Sequence, residues 1–139
     1  MSYAKQSVRY VENDVLSRPA EWMVPLLYEH LLASLSRAAV QMESGDAEGK
    51  AASLSRATDI VLELNASLDH EKGGELAGQL ASLYSYFALE IMNVGRTLDG
   101  KVLQRLISLV AELHEAWVMA AEQVAPRSRP APQLRVANA

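Results

Sequence analysis

Apolar residues recur at alternating three- and four-residue steps in four long stretches, separated by short polar or glycine-containing breaks. The first stretch, residues 20–43, carries Val24, Leu27, Leu31, Leu35, Ala38 and Met42. That spacing predicts an amphipathic helix with one apolar face. Pro19 suits a first helical turn. Pro25 lies inside the pattern, and without an N–H it either kinks the helix or marks its true start. Ser44-Gly45 stops the helix, because glycine accepts the left-handed cap conformation. Asp46 then caps a second stretch, residues 47–68, with Ala51, Leu54, Ala57, Val61, Leu64 and Leu68 inward.

A polar corner, residues 69–74, ends in Gly73-Gly74, which supply backbone conformations that side chains forbid. The third helix is predicted over residues 75–98, with Leu76, Leu80, Leu83, Phe87, Ile91, Val94 and Leu98 facing the core. Asp99-Gly100 breaks the chain briefly. The fourth helix, residues 100–124, has Leu103, Leu106, Val110, Leu113, Trp117 and Ala120 on one seam, and Pro126 is expected to end it. Four helices, each about 30 Å long at 1.5 Å per residue, joined by short loops, predict an all-α antiparallel up-down four-helix bundle. It would span residues 19–125. Residues 1–18 read as a mobile N-terminal arm, and residues 126–139 as a disordered Arg/Pro-rich tail. No self-similar repeat supports a solenoid.

Composition agrees and narrows the chemistry. Half of the 139 residues are hydrophobic, enough for one buried core, and cysteine is absent, so neither a disulfide framework nor a thiolate metal site exists. The first ten residues lack the apolar region of a secretory signal, and the longest uncharged run, residues 76–89, is too short for a membrane span. A cytoplasmic protein without membrane insertion is therefore expected. The net charge of −4 is uneven: Arg127, Arg129 and Arg135 make the tail +3, leaving −7 on residues 1–125. An acidic body argues against nucleic acid as a partner.

Catalytic constellations are missing. A di-iron bundle needs Glu-x-x-His pairs, but Leu27, Ser67 and Ala111 stand three residues before His30, His70 and His114. The zinc-protease spacing fails at Val118, where the second histidine would be. Gly73-Gly74 follows no strand and precedes no Lys-Ser/Thr, so it is no phosphate loop. Asp69-His70-Glu71 offers metal-ligating residue types, yet a polar connector uses the same residues. No enzyme, no metal and no cofactor are expected.

What remains is apolar surface beyond the four inward stripes: Leu26, Tyr28, Leu32, Ile60, Leu62, Tyr84, Tyr86, Met92, Ile107 and Leu109. One reading is simply a wider core face. The other is a groove that receives a partner's helix, to which tyrosines are suited by their apolar body and polar tip.

Several short motifs recur in order over residues 3–121: Tyr10 in the arm, Leu27-Tyr28-Glu29, Leu35-Ser-Arg-Ala38, Gly45-Asp46-x-x-x-Lys50, and Leu64-x-x-x-Leu68-Asp69. They continue with Gly73-Gly74-Glu75, Leu80-x-x-Leu83-Tyr84-x-Tyr86, Asn93-x-x-x-x-x-Asp99 and Leu113-x-x-x-Trp117. This series resembles the flagellin-specific export chaperones of bacteria, the FliS-like family. Two departures stand out. Ser17-Arg-Pro19 replaces the family's usual Ser-Pro opening of helix one, and the Arg/Pro tail lies outside its pattern. The resemblance implies a chaperone that binds the C-terminal segment of flagellin, prevents its premature polymerisation and keeps it competent for flagellar type III secretion, with the export gate as a second partner. It implies Tyr10 as an arm contact and Leu80, Leu83, Tyr84 and Phe87 as groove contacts. An apolar groove invites self-association, so a monomer or weak homodimer is expected when the protein is free. The alternative is a non-enzymatic helical adaptor or regulator that binds some other amphipathic helix.

Overall fold

A computed structural model describes the backbone of residues 20–128 and the side chains of residues 21–124. A single 3-10 turn, Ala20–Trp22, leads into α1 (Met23–Ser44). Pro25 is the third residue of α1, within the first turn, where N–H groups have no intrahelical acceptor. It therefore marks the helix start and breaks no internal hydrogen bond. Gly45 takes the left-handed conformation (φ 77°), and the following Asp46 N–H donates to the Gln41 carbonyl at 2.9 Å. The Asp46 carboxylate accepts from the Gly49 N–H at 2.9 Å and opens α2 (Ala47–Ala66).

The third helix begins earlier than its apolar pattern indicates. α3 (His70–Thr97) is capped by Asp69, whose carboxylate accepts from the N–H groups of Glu71 and Lys72 at 3.1 and 3.0 Å. It is interrupted at Gly74 (φ 52°, ψ −125°), a backbone conformation open to glycine almost alone. The polar corner is thus one helical turn joined to the main helix through a break. Leu98 closes α3 in the left-handed region (φ 58°), and Asp99 caps α4 (Gly100–Ser128) by accepting from Lys101 and Val102 N–H groups at 2.9 and 3.4 Å. α4 continues through Pro126, where the sequence pattern places its end. A proline near a helix end removes one hydrogen bond without stopping the last turn.

Each helix packs on its neighbours in sequence, and α1 closes the ring against α4. The two- and three-residue connections force neighbouring helices to run antiparallel. Side chains agree: Gln41, near the end of α1, hydrogen bonds Ser53, near the start of α2, at 2.7 Å. Tyr28, near the start of α1, stacks at 6.2 Å between ring centres with Trp117, late in α4. All described helices fit the expected bundle, and no strand occurs among the described residues.

The core follows most of the predicted stripes. Leu27, Leu31, Leu35 and Ala38 of α1, Leu54, Ala57, Val61 and Leu64 of α2, Phe87, Ile91 and Val94 of α3, and Leu103, Leu106 and Val110 of α4 are buried together. Four positions differ. Ala51 is exposed because the buried face of α2 starts at Ser53 and Leu54. Leu76 is exposed while Ala77 is buried, since the packed face of α3 begins only at Ala77, after the break at Gly74. Leu98 leaves the helical register at its left-handed φ and is exposed. Ala120 is exposed because the seam steps from Trp117 to the buried Ala121, four residues on.

Candidate functional site

Exposed large apolar residues are most frequent along α3. Leu76, Leu80 and Leu83 continue the row of Phe87, Ile91 and Val94 toward the start of α3, and Tyr86 lies to one side of that row. Leu76 is 58% and Tyr86 47% exposed, while Leu80 and Leu83 are half-buried against the core. Leu89 and Met92 continue the exposure farther round the helix. Val102, Leu109 and Leu113 of α4 are also only half-buried. Of the four neighbouring helix pairs, α3 and α4 make the sparsest contact. The bundle is therefore closed least tightly between α3 and α4.

A polar knot lies beneath these residues. The Tyr28 hydroxyl donates to the Tyr84 hydroxyl at 3.1 Å, both rings being buried. Tyr84 packs at 6.1 Å between ring centres on Phe87, which in turn meets Tyr86 at 6.3 Å. This chain of rings connects the outer flank of α3 to α1 and Trp117. Burial pushes both tyrosine hydroxyls above their ordinary range; for Tyr84 the bond from Tyr28 adds to the rise, and for Tyr28 the bonds to Tyr84 and Trp117 offset part of it. Both stay neutral at physiological pH, and they satisfy each other's polar groups inside an apolar core.

Of the residues singled out from sequence, Leu80 and Leu83 stand at the surface of α3. Tyr84 and Phe87 lie inside, at 2% and 0% exposure. Tyr10 lies outside the described residues. Among the surplus apolar residues, Leu26, Tyr28, Ile60 and Tyr84 belong to the core, Leu32, Ile107 and Leu109 pack partly against it, and Leu62, Tyr86 and Met92 are exposed. Sequence reasoning assigned Leu76 to the core. The signal was Gly73-Gly74 two residues earlier, a break just after which the packed face has not yet begun at Leu76.

Such a surface suits apolar contact, with no chemistry to perform. No group of His, Asp or Glu among the described residues could hold a metal ion. No helix among them is long and apolar enough to cross a membrane.

The pattern of the family described as Flagellar protein FliS matches residues 1–124. The chain belongs to the FliS family. It is 31% identical to the flagellar secretion chaperone FliS of Salmonella typhimurium strain LT2, over 91% of this chain and 90% of that protein. The corresponding chaperone of Escherichia coli K12 is 32% identical, over 77% of this chain and 79% of the relative. That of Bacillus subtilis 168 is 26% identical, over 80% and 82%. The FliS family is one of flagellar export chaperones and not of enzymes. The match takes in all four helices and ends within α4, leaving residues 125–139 outside it.

Proposed function

We propose that this FliS-family protein is a cytosolic export chaperone that binds the C-terminal segment of flagellin. By covering that segment it prevents premature polymerisation and keeps the subunit competent for flagellar type III secretion, delivering it to the export gate. The observation that carries this reading is the partly covered apolar set Leu76, Leu80, Leu83 and Tyr86 on α3, the helix that makes the sparsest contact with its neighbour α4. A segment with apolar residues at helical spacing buries them there, and an apolar interface with few fixed charges tolerates sequence variation in its cargo. Ordering a disordered segment costs entropy, which the buried area must outweigh.

Leu80 and Leu83 are the proposed direct contacts, joined by Leu76 and Tyr86. Tyr84 and Phe87 support them from beneath and meet cargo only if the α3–α4 seam opens. Tyr10 is proposed as an arm contact. Tyr10→Ala is expected to change flagellin affinity and leave the melting temperature nearly unaltered; an equal affinity with a large fall in melting temperature contradicts the arm contact. The function itself is tested by seeded growth of flagellin filaments followed by light scattering. An equimolar amount of the chaperone is expected to stop growth. Undiminished growth in the presence of folded protein overturns the reading in favour of an adaptor for a different helix.

A further inference from the structure

Residues 126–139 carry Arg127, Arg129 and Arg135 and no acid, and they lie beyond the family pattern, which ends at residue 124. α4 runs on to Ser128, so residues 129–139, outside the described ones, depart from the end of the bundle that also holds the start of α3. That end is acidic. Glu63, Glu71, Glu75 and Glu122 stand there, and Lys72 is the only lysine or arginine among residues 57–95 and 106–124. Asp69 is occupied in capping α3.

The same end leaves apolar surface uncovered where α3 meets α4. Leu76 is 58% and Val124 45% exposed. Leu54 of α2 lies 3.6 Å from where a Cβ on Gly95 would stand, so α2 occupies that side of α3. At about 100° per residue, Leu76 and Leu83 sit roughly 100° and 120° round from Gly95, with Phe87 and Ile91 between. They therefore lie on the α4 side of the helix, along the sparsest contact of the bundle. Leu76 precedes Leu98 by as many residues as Glu122 follows Gly100, which sets Leu76 level with the turn of α4 that carries Glu122 and Val124.

We propose that this corner is the docking site of the chain's own C-terminal stretch. Leu134 and Val136 lie on Leu76 and Val124, and Arg129 and Arg135 reach Glu71, Glu75 and Glu122 at the rim. The reach suffices. Ser128 stands about 9 Å of rise beyond Glu122, and a packed neighbouring helix axis is about 8–10 Å away. The six residues from Ser128 to Leu134 span up to about 20 Å. Leu134 and Val136 flank Arg135, so an extended segment sets both apolar side chains on one face and the arginine on the other. Pro130 and Pro132 restrict the backbone and lower the entropy lost on docking. Exposed charge pairs make the contact weak. A short tether, however, supplies an effective concentration on the order of millimolar, enough to populate a weak contact within one molecule. The docked stretch covers Leu76 and so competes with cargo for it. That competition rests on the proposed function; the contact itself does not.

The chain has no cysteine, so Ala137→Cys gives the full chain a single thiol for a nitroxide spin label, read through paramagnetic loss of backbone amide signals. Without any cargo, amides of residues 71–80 are expected to lose intensity at low salt and to regain it at high salt. Arg129→Glu/Arg135→Glu replaces attraction by repulsion and is expected to abolish the loss, as is Leu134→Asp/Val136→Asp. Adding Glu71→Lys/Glu75→Lys to the arginine reversal pairs the charges again and should bring the loss back. A loss at residues 71–80 that salt and both double variants leave unaltered, no loss there at all, or no recovery in the quadruple variant overturns the proposal. Isotope-labelled chain without the nitroxide, mixed with unlabelled chain that carries it, should show no loss. An equal loss in that mixture makes the contact one between molecules and overturns the proposal too.

Discussion

α1 and α3 carry apolar residues at the same helical spacing, yet only α1 buries nearly all of them. In α1, Leu31, Leu35 and Ala38 have no exposure, and Leu27 has 2%. In α3 the corresponding row is divided: Phe87, Ile91 and Val94 are buried, while Leu80 and Leu83 are half-covered and Leu76 is open. Two physical causes separate them. α1 is held closely by both α2 and α4, whereas α3 meets α4 sparsely. The break at Gly74 also withdraws the first turn of α3 from the packed face. Helical periodicity identifies the face that seeks burial, and the neighbouring helices decide how much of it is covered from within. The uncovered remainder is the surface proposed above as the cargo contact.

The largest expected effect lies on the closed side of this comparison. Leu31→Ala should cost about 2–5 kcal/mol, the range for cavities in well-packed cores, read from denaturant unfolding. A loss below about 1 kcal/mol would mean that α1 is no more tightly packed than α3. Gly74→Ala comes next. Glycine-only backbone forced on alanine costs about 1–3 kcal/mol, so its melting temperature should fall clearly. An unchanged melting temperature would show that the break is not required in solution.

The open side should respond in affinity instead. The pair Leu76→Asp and Tyr86→Asp should weaken flagellin binding by about 10–100-fold, as for two central contacts of an interface, with a small change in melting temperature. Unaltered binding would remove the α3 flank from the account.

Much of the fold was legible in the sequence. Asp46 caps as its position implies, Gly45 adopts the left-handed stop, and the middle of the α1 stripe and the first half of the α4 stripe fall on buried residues. What was not legible has local causes. Pro25 admitted two readings until the helix start fixed it in the first turn. Leu76, Leu98 and Ala120 each sit where a break, a left-handed cap or a four-residue step shifts the wheel, and periodicity assumes continuous helical geometry. The site was legible only in part. The sequence drew attention to the Leu80–Phe87 segment, yet spacing alone does not separate Leu83 at the surface from Tyr84 beneath it. The Tyr28–Tyr84 bond joins residues 56 positions apart, and no local pattern records it.

That bond supplies a subtler contrast. Both hydroxyls are held neutral by burial, whereas in the unfolded chain tyrosine ionises near pH 10. The folded state therefore binds more protons than the unfolded state above about pH 10, and stability falls as pH rises through that range. Alkaline unfolding followed by circular dichroism should be steep, and Tyr84→Phe should make it shallower by removing one linked proton. Equal steepness would place Tyr84 in a solvated setting. The smallest effect is expected at Gly78, an α3 glycine with nothing within 4 Å of an added Cβ. Gly78→Ala should stabilise by about 0.5–1 kcal/mol through the unfolded chain, in contrast to Gly74→Ala a turn earlier.

The most direct test of the central claim is calorimetric titration of the full chain with a flagellin C-terminal peptide from the same genome, at two temperatures. The account predicts one-to-one binding with a clearly negative heat-capacity change, the mark of apolar burial. No binding by demonstrably folded protein, or binding without a heat-capacity change, would contradict it.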